Sequence, residues 1–181
     1  GAKVMAFARE TLTQPRDPER LLADVADMRR RVAEQHAARS PWEVKHVRGG
    51  LVDVEFIAQY LLLRHAHAHP QILASSIAAA YGRLGAAGLL PAEHAASLAA
   101  AARLLQQVQA MLRLTVEEDF DEAAATDGLK TALARAGDAP SFDALKAALA
   151  AAQAEVRRAF AEIIEEPAAR LAARQTQEIS L

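Results

Sequence analysis

The stretch that decides the fold is residues 51–67, with the sequence LVDVEFIAQYLLLRHAH. Its apolar residues fall on nearly every side of a helix, which makes this the most hydrophobic segment of the chain. A helix with apolar residues all round has to be surrounded by protein. The pattern therefore predicts a helix at the centre of a bundle, beginning directly after the glycine pair Gly49-Gly50.

The composition of the remaining sequence also favours helices. Hydrophobic residues make up 52% of the 181 residues, but aromatic residues make up only 4% and alanine is abundant. Alanine is the best helix former and fills strands poorly, and a chain of this length suits one domain. We predict an all-α fold, a bundle of six or seven mostly antiparallel helices with no sheet.

Capping residues and helix breakers mark the other helices. Asp17 is a typical N-cap, with Pro18 at the first helical position. Further helices are predicted over Lys3–Thr13, from Ser75 or Ser76 to Leu84 with Gly85 and Gly88 at its end, from Pro91 to about Thr115, from about Gly128 to Ala136, and from Ser141 to Pro167. In the helix after Asp17 the expected buried residues are Leu21, Leu22, Val25, Met28 and Val32. We expect residues 1–166 to form the bundle and residues 167–181 to be a weakly ordered tail or a short helix.

Charge and targeting signals exclude several classes of function. The net charge is −2, and the 21 basic residues are spread along the chain, so nothing favours binding to nucleic acid or to an anionic membrane. There is no cysteine, which excludes disulfides and thiolate chemistry and is compatible with a cytoplasmic protein. No apolar run is long enough to span a membrane. We interpret Gly1, followed at once by helical sequence, as an opening inside a larger protein.

A polar cluster at the start of the central helix is the first candidate site. A glycine pair permits unusual backbone conformations and close approach, and the helix start after it offers free N–H groups. Lys45 and Arg48 add positive charge nearby. The cluster predicts a site for a phosphate or for a carboxylate of a partner. The alternative is that Gly49-Gly50 is only a tight turn and Asp53 only a residue of the helix start.

The carboxylates Asp53 and Glu55 suggest a magnesium pair of the kind that nucleotidyltransferases use. Residues two apart in a helix point about 200° away from each other around the axis, so we expect no compact metal pair. Glu55 and Gln59, four apart, share a face and form a candidate hydrogen-bonding pair. A buried carboxylate at Glu55 needs a cationic partner, for which Lys45 and Arg29 are the candidates.

Other patterns are weak. His65 and His69 are four apart, but no zinc-protease motif surrounds them, and histidines are favoured near a helix C-terminus; we expect no metal. The basic run 28–31 is interpreted as a solvated face and the acidic run 117–122 as a linker. No serine or glycine-rich motif typical of nucleophilic catalysis or nucleotide binding is present.

The stretch from Lys45 to Gln59 resembles the signature of the helical domains of glutamine synthetase adenylyltransferases. The shared pattern is a lysine, then Gly-Gly, an aspartate between small apolar residues, and apolar-Glu-Phe-x-x-Gln. Upstream, Asp24-Val25 followed by Met28-Arg29 fits the family's valine-x-x-Met-Arg helix, and downstream Tyr60-Leu61 with Arg64-His65 also fits. The Asp-Val-Glu-Phe form of the motif is similar to that of the family's C-terminal helical domain.

The resemblance implies a large two-halved enzyme that uses ATP and Mg²⁺ to transfer AMP to a tyrosine of glutamine synthetase and removes it by phosphorolysis. It implies, as partners, a nucleotidyltransferase domain of the same protein, glutamine synthetase and the PII signal protein, with control by glutamine. The family's catalytic pattern, Gly-Ser-x-x-Asp-x-Asp, is missing, because no Gly-Ser dipeptide occurs in this sequence. We therefore expect no catalytic residue and no cofactor in this chain, and no transferase activity by the chain alone.

We expect the motif to face a cleft beside the nucleotidyltransferase domain, where it docks that domain or positions ATP or the substrate loop. The residues of this candidate site are Lys45, Arg48, Gly49, Gly50, Asp53, Glu55 and Gln59, with Arg29 in support. One alternative is a regulatory or scaffolding bundle that responds to PII or glutamine without contact to the active site. A second alternative is an unrelated helical interaction domain.

Overall fold

The computed structural model describes residues 10–116 and 119–179. Besides the helical residues 10–12, those ranges contain seven α-helices and no strand. They are α1 Pro18–Gln35, α2 Leu51–His65, α3 Ile77–Ala86, α4 Ala92–Thr115, α5 Asp127–Ala136, α6 Phe142–Phe160 and α7 Glu166–Ile179, with a 3₁₀ turn over Pro70–Ile72 and a π turn over Ala161–Glu165. The predicted all-α fold is confirmed.

Helix α2 is the central helix, as its sequence predicts. It packs against α1, α3, α4 and α6, and most of its residues are buried. Ile57 and Ala58 are fully buried, and Tyr60 is almost so. The hydroxyl of Tyr81 on α3 donates a hydrogen bond of 2.6 Å to the carbonyl of Val54. Burial raises the pKa of this hydroxyl well above its usual value.

Side-chain caps fix the start of four helices. Asp17 accepts from the backbone N–H of Glu19 at 2.9 Å, and Ser76, Thr126 and Ser141 make the equivalent contact. Each cap satisfies N–H groups that have no partner in the helix, a contribution of about 1 kcal/mol. The predicted caps Asp17 and Ser141 are confirmed, and of the two candidates for α3 the cap is Ser76.

Three local expectations were wrong. Met28 does not face inwards, since it is 58% exposed, and its neighbour Arg29 is buried instead. Gly85 does not end α3 but lies inside it. A β-carbon on Gly85 would lie 2.8 Å from that of Ala95, so this glycine serves the close approach of α3 to α4. Pro167 does not end the last helix.

The chain continues through the π turn into α7. A π turn bonds from i to i+5 and so changes the hydrogen-bond register directly before Pro167, which has no N–H to donate. Leu171 on α7 is 4% exposed, and Arg174 lies 3.4 Å from Glu19 on α1, so residues 166–179 are packed on the bundle as a helix. Most of the helix expected over Lys3–Thr13 lies outside the described residues. The part that is described, residues 10–12, is helical.

Candidate functional site at the start of helix α2

The connection from Pro41 to Gly50 holds the start of α2 by backbone contacts. The N–H of Leu51 donates to the carbonyl of Val44 at 2.8 Å, and that of Gly50 donates to Val47 at the same distance. Gly49 has φ +82°, a left-handed conformation that favours glycine. Several turns in succession therefore lead into the helix, whose N-cap is Gly50.

Both glycines are needed because other backbone lies against them. A β-carbon on Gly49 would lie 2.0 Å from the carbonyl oxygen of Gln153 on α6, and one on Gly50 would lie 2.3 Å from that of Val44. Both residues are buried. The pair packs the helix start into the bundle, and the expectation that it faces a cleft was wrong.

Asp53 is fully buried and supplies the negative charge at this helix start. One carboxylate oxygen accepts from the guanidinium of Arg29 and lies 3.4 Å from that of Arg48. The other accepts from the N–H of Gly49 at 2.5 Å, much as a side chain in the first helical turn does in a capping box. The helix start does attract an anion, but that anion is the chain's own carboxylate. Asp53 does not face a cleft, contrary to expectation.

Arg29 is the buried partner of Asp53, not of Glu55. Its exposed fraction is 2%, and its Nη2 has no hydrogen-bond partner among the residues that the structure describes. A buried carboxylate is stable only with a paired charge or several hydrogen bonds, and Arg29 supplies the first of these. Of the two cations considered for Glu55, Arg29 pairs with Asp53 instead, whereas the charge of Lys45 does act on Glu55.

Arg48 connects the helix start to the end of the bundle. It forms an ion pair with Glu165 in the π turn, and its guanidinium carbon lies 5.0 Å from the centre of the Phe160 ring. Its carbonyl accepts from Arg157 at 3.1 Å. Arg48 is thus held by several contacts within the bundle, and its side chain is 40% exposed.

The remaining three candidates lie at the surface. Lys45 and Gln59 are exposed, and Glu55 is partly buried. Burial raises the pKa of the Glu55 carboxyl, and the charge of Lys45 opposes that rise. Glu55 has no hydrogen bond or ion pair with any described residue. We call Lys45, Glu55 and Gln59 the outer face of the motif.

Asp53 and Glu55 lie on different sides of α2, as helical geometry predicts. Residues 10–116 and 119–179 contain no group of three or more histidines, aspartates or glutamates that could hold a metal ion.

At the other end of α2 burial lowers the pKa of His65, and the charges of Arg64, His69 and His67 lower it further. The same ranges contain no helix with the length and apolarity needed to cross a bilayer.

One contact at the motif was missed by sequence reasoning. Gln153 is 3% exposed, and its Nε2 donates a 2.7 Å hydrogen bond to the carbonyl of Pro41. A signal was present, because Gln153 falls four residues after Leu149 and three before Val156, both of them in the core. A polar residue at such a position indicates a buried hydrogen bond.

The chain is similar to known proteins over nearly its whole length. The family model described as GlnD PII-uridylyltransferase matches residues 21–164. A bifunctional glutamine synthetase adenylyltransferase/adenylyl-removing enzyme of Xanthobacter autotrophicus is 44% identical over 165 residues, which is 91% of this chain and 17% of the relative. The enzyme of the same name from Bradyrhizobium diazoefficiens is 41% identical over the same shares. The chain thus spans about a sixth of the length of these curated relatives.

Proposed function

Because the chain belongs to the GlnD PII-uridylyltransferase family and resembles glutamine synthetase adenylyltransferases over nine tenths of its length, we propose that it is an accessory helical domain of such an adenylyltransferase. In this role it lies beside the nucleotidyltransferase site that adenylylates glutamine synthetase. The transfer of AMP from ATP with Mg²⁺ to a tyrosine of glutamine synthetase, control by PII and a cytoplasmic location all belong to this proposal.

The observation that carries the proposal is the outer face of the motif. A partly buried carboxylate that makes no hydrogen bond or ion pair with a described residue is unfavourable in an isolated bundle. Such a group is expected where a second surface completes its hydrogen bonds. Lys45 and Gln59, both exposed, provide further polar contacts beside Glu55. We propose that this face docks the nucleotidyltransferase domain of the same protein.

The chemistry, on this proposal, is supplied by that other domain. The sequence lacks the Gly-Ser-x-x-Asp-x-Asp pattern, and Asp53, the carboxylate next to Glu55, is neutralised by Arg29 and Arg48. The chain would then act by positioning the catalytic domain. Such positioning matters, because a shift of about 1 Å in a catalytic geometry lowers the rate roughly a hundredfold. We expect the chain alone to transfer no AMP to glutamine synthetase.

The test is AMP incorporation into glutamine synthetase by the full-length protein with Glu55→Lys. We expect a loss of at least about tenfold in kcat/KM, equivalent to about 1.4 kcal/mol, with an unchanged melting temperature. The matched control is Glu93→Lys, at an exposed position of α4, which should retain full activity. Equal activity of the two variants would refute the proposal. AMP transfer by the 181-residue chain alone would refute the proposal that the other domain supplies the chemistry.

A further inference from the structure

A second surface lies at the opposite end of α2 and has no part in the proposed docking. It is a groove of about 570 Å³ between the start of α1, the end of α2 and the face of α7. Its floor contains Leu22 and Leu171, which are 7% and 4% exposed. Its charged lining residues are Arg64, Arg170, Arg174 and Glu19. We call this surface the arginine groove.

Two of the arginines belong to one face of α7. Arg170 and Arg174 are four residues apart, so both flank the buried Leu171. Each side chain is 66% exposed, and their ion pairs, 3.6 Å to Glu166 and 3.4 Å to Glu19, are also exposed. Exposed pairs of this kind contribute about 0–1 kcal/mol. The bundle therefore gains little from these arginines, and both remain available to another carboxylate.

Arg64 is held in position by the core. Its Nη1 donates to the hydroxyl of Tyr60, a residue only 1% exposed, and its guanidinium carbon lies 5.8 Å from the centre of that ring. It has no carboxylate partner among the described residues. A guanidinium that is fixed on a buried anchor loses less freedom on binding an anion.

We propose that the arginine groove binds an acidic amphipathic peptide segment of a partner protein. Apolar side chains of the segment lie on Leu22 and Leu171, and its carboxylates meet the arginines at the rim. At this rim Arg174 already lies 3.4 Å from the carboxylate of Glu19. Helices that bind in grooves use the same combination of apolar anchors and complementary charge. The inference is independent of the proposed function, which concerns the other end of α2.

The test is fluorescence anisotropy of a labelled helical peptide of about four turns, with leucines on one face and glutamates on both sides of them. We expect saturable binding to the 181-residue chain that weakens as the salt concentration rises. A peptide with glutamine in place of glutamate should bind at least about tenfold more weakly. Equal binding of the two peptides would overturn the proposal, as would the absence of binding by either.

Variants of the chain locate the binding. The double change Arg170→Glu and Arg174→Glu should raise the Kd at least about tenfold, and Arg64→Gln should raise it about threefold. The matched control, Arg103→Glu with Arg135→Glu, makes the same change of charge at exposed positions of α4 and α5 and should leave the Kd within about twofold. An equal loss of peptide affinity in the groove variants and the control variant would mean that the peptide is held by non-specific charge attraction. Competition by ATP or inorganic phosphate as strong as by the peptide would indicate a small-anion site. Either result contradicts the proposal.

Discussion

The two halves of one motif have opposite surroundings in this molecule. The inner half consists of Gly49, Gly50 and Asp53, which lie in the interior against Arg29 and the backbone of α6. The outer half consists of Lys45, Glu55 and Gln59, which reach the surface. Residues adjacent in a signature therefore need not have the same role, since the inner half packs inside the bundle and the outer half reaches the surface.

The largest effect is expected at Asp53. Asp53→Ala leaves the guanidinium of Arg29 buried without its partner, which costs about 3–5 kcal/mol of unfolding free energy. Urea unfolding measures the loss. Asp24→Ala on the exposed side of α1, where the side chain is 71% exposed, should cost under about 0.5 kcal/mol. A cost at Asp53 as small as at Asp24 would mean that the inner half does not hold the fold.

A smaller loss is expected at Gly49. An alanine there would need a left-handed backbone and would place its β-carbon 2.0 Å from the Gln153 carbonyl, so Gly49→Ala should cost about 2–3 kcal/mol. Gly82→Ala is the control, because no atom lies within 4 Å of its added β-carbon and alanine favours a helix by about 1 kcal/mol over glycine. Thermal melting should move in opposite directions for the two variants, and a stable Gly49→Ala chain would contradict the packing described.

Glu55→Gln should leave stability equal or slightly higher at neutral pH. Burial raises the pKa of this carboxyl, so the folded state disfavours its ionised form and stability is lost as pH rises above the ordinary value of about 4.5. The glutamine cannot ionise, and the advantage of the variant should be absent at pH 4 and at most about 1 kcal/mol at pH 7. Melting at the two pH values checks this. A destabilised variant at pH 7 would place Glu55 with the inner half.

The smallest effect concerns His46, next to Lys45 in the connection. Its ring stacks on that of His36 with centroids 4.2 Å apart. Burial lowers its pKa, and the charges of His36, Lys45 and Arg29 lower it further. Stability from neutral His46 is therefore complete above about pH 6.5 and is lost as pH falls towards the folded-state pKa. The melting temperature should fall between pH 7.5 and 5.5, and by less in His46→Gln. An equal fall in both chains would exclude His46 as the cause.

Much of the fold follows from local signals in the sequence. Asp17 and Ser141 have the hydrogen-bonding side chains that begin a helix, and residues 51–65 are apolar on nearly every side, so both the helix starts and the central position of α2 were predictable. Pro167 was misleading because a π turn directly precedes it and the helix continues, and such a change of hydrogen-bond register depends on the packing around it.

The candidate site was predictable only in part. The sequence placed charged residues at a helix start, and the helical period correctly separated Asp53 from Glu55. Which carboxylate turns inwards depends on where Arg29 of α1 meets α2, a tertiary contact between residues 24 positions apart. The basic run 28–31 looked uniformly solvated, yet one of its arginines is in the core. The helical period does place Arg29 on the apolar face, four residues after Val25 and three before Val32, but the local pattern does not identify the carboxylate that it meets.

The most direct test of the two-halves account is calorimetric titration of this chain with the separately produced nucleotidyltransferase domain of the adenylyltransferase. If the outer half docks that domain, binding is saturable, Glu55→Lys weakens it at least about tenfold with an unchanged melting temperature, and Glu93→Lys leaves it intact. Equal affinity of the two variants for that domain would contradict the account.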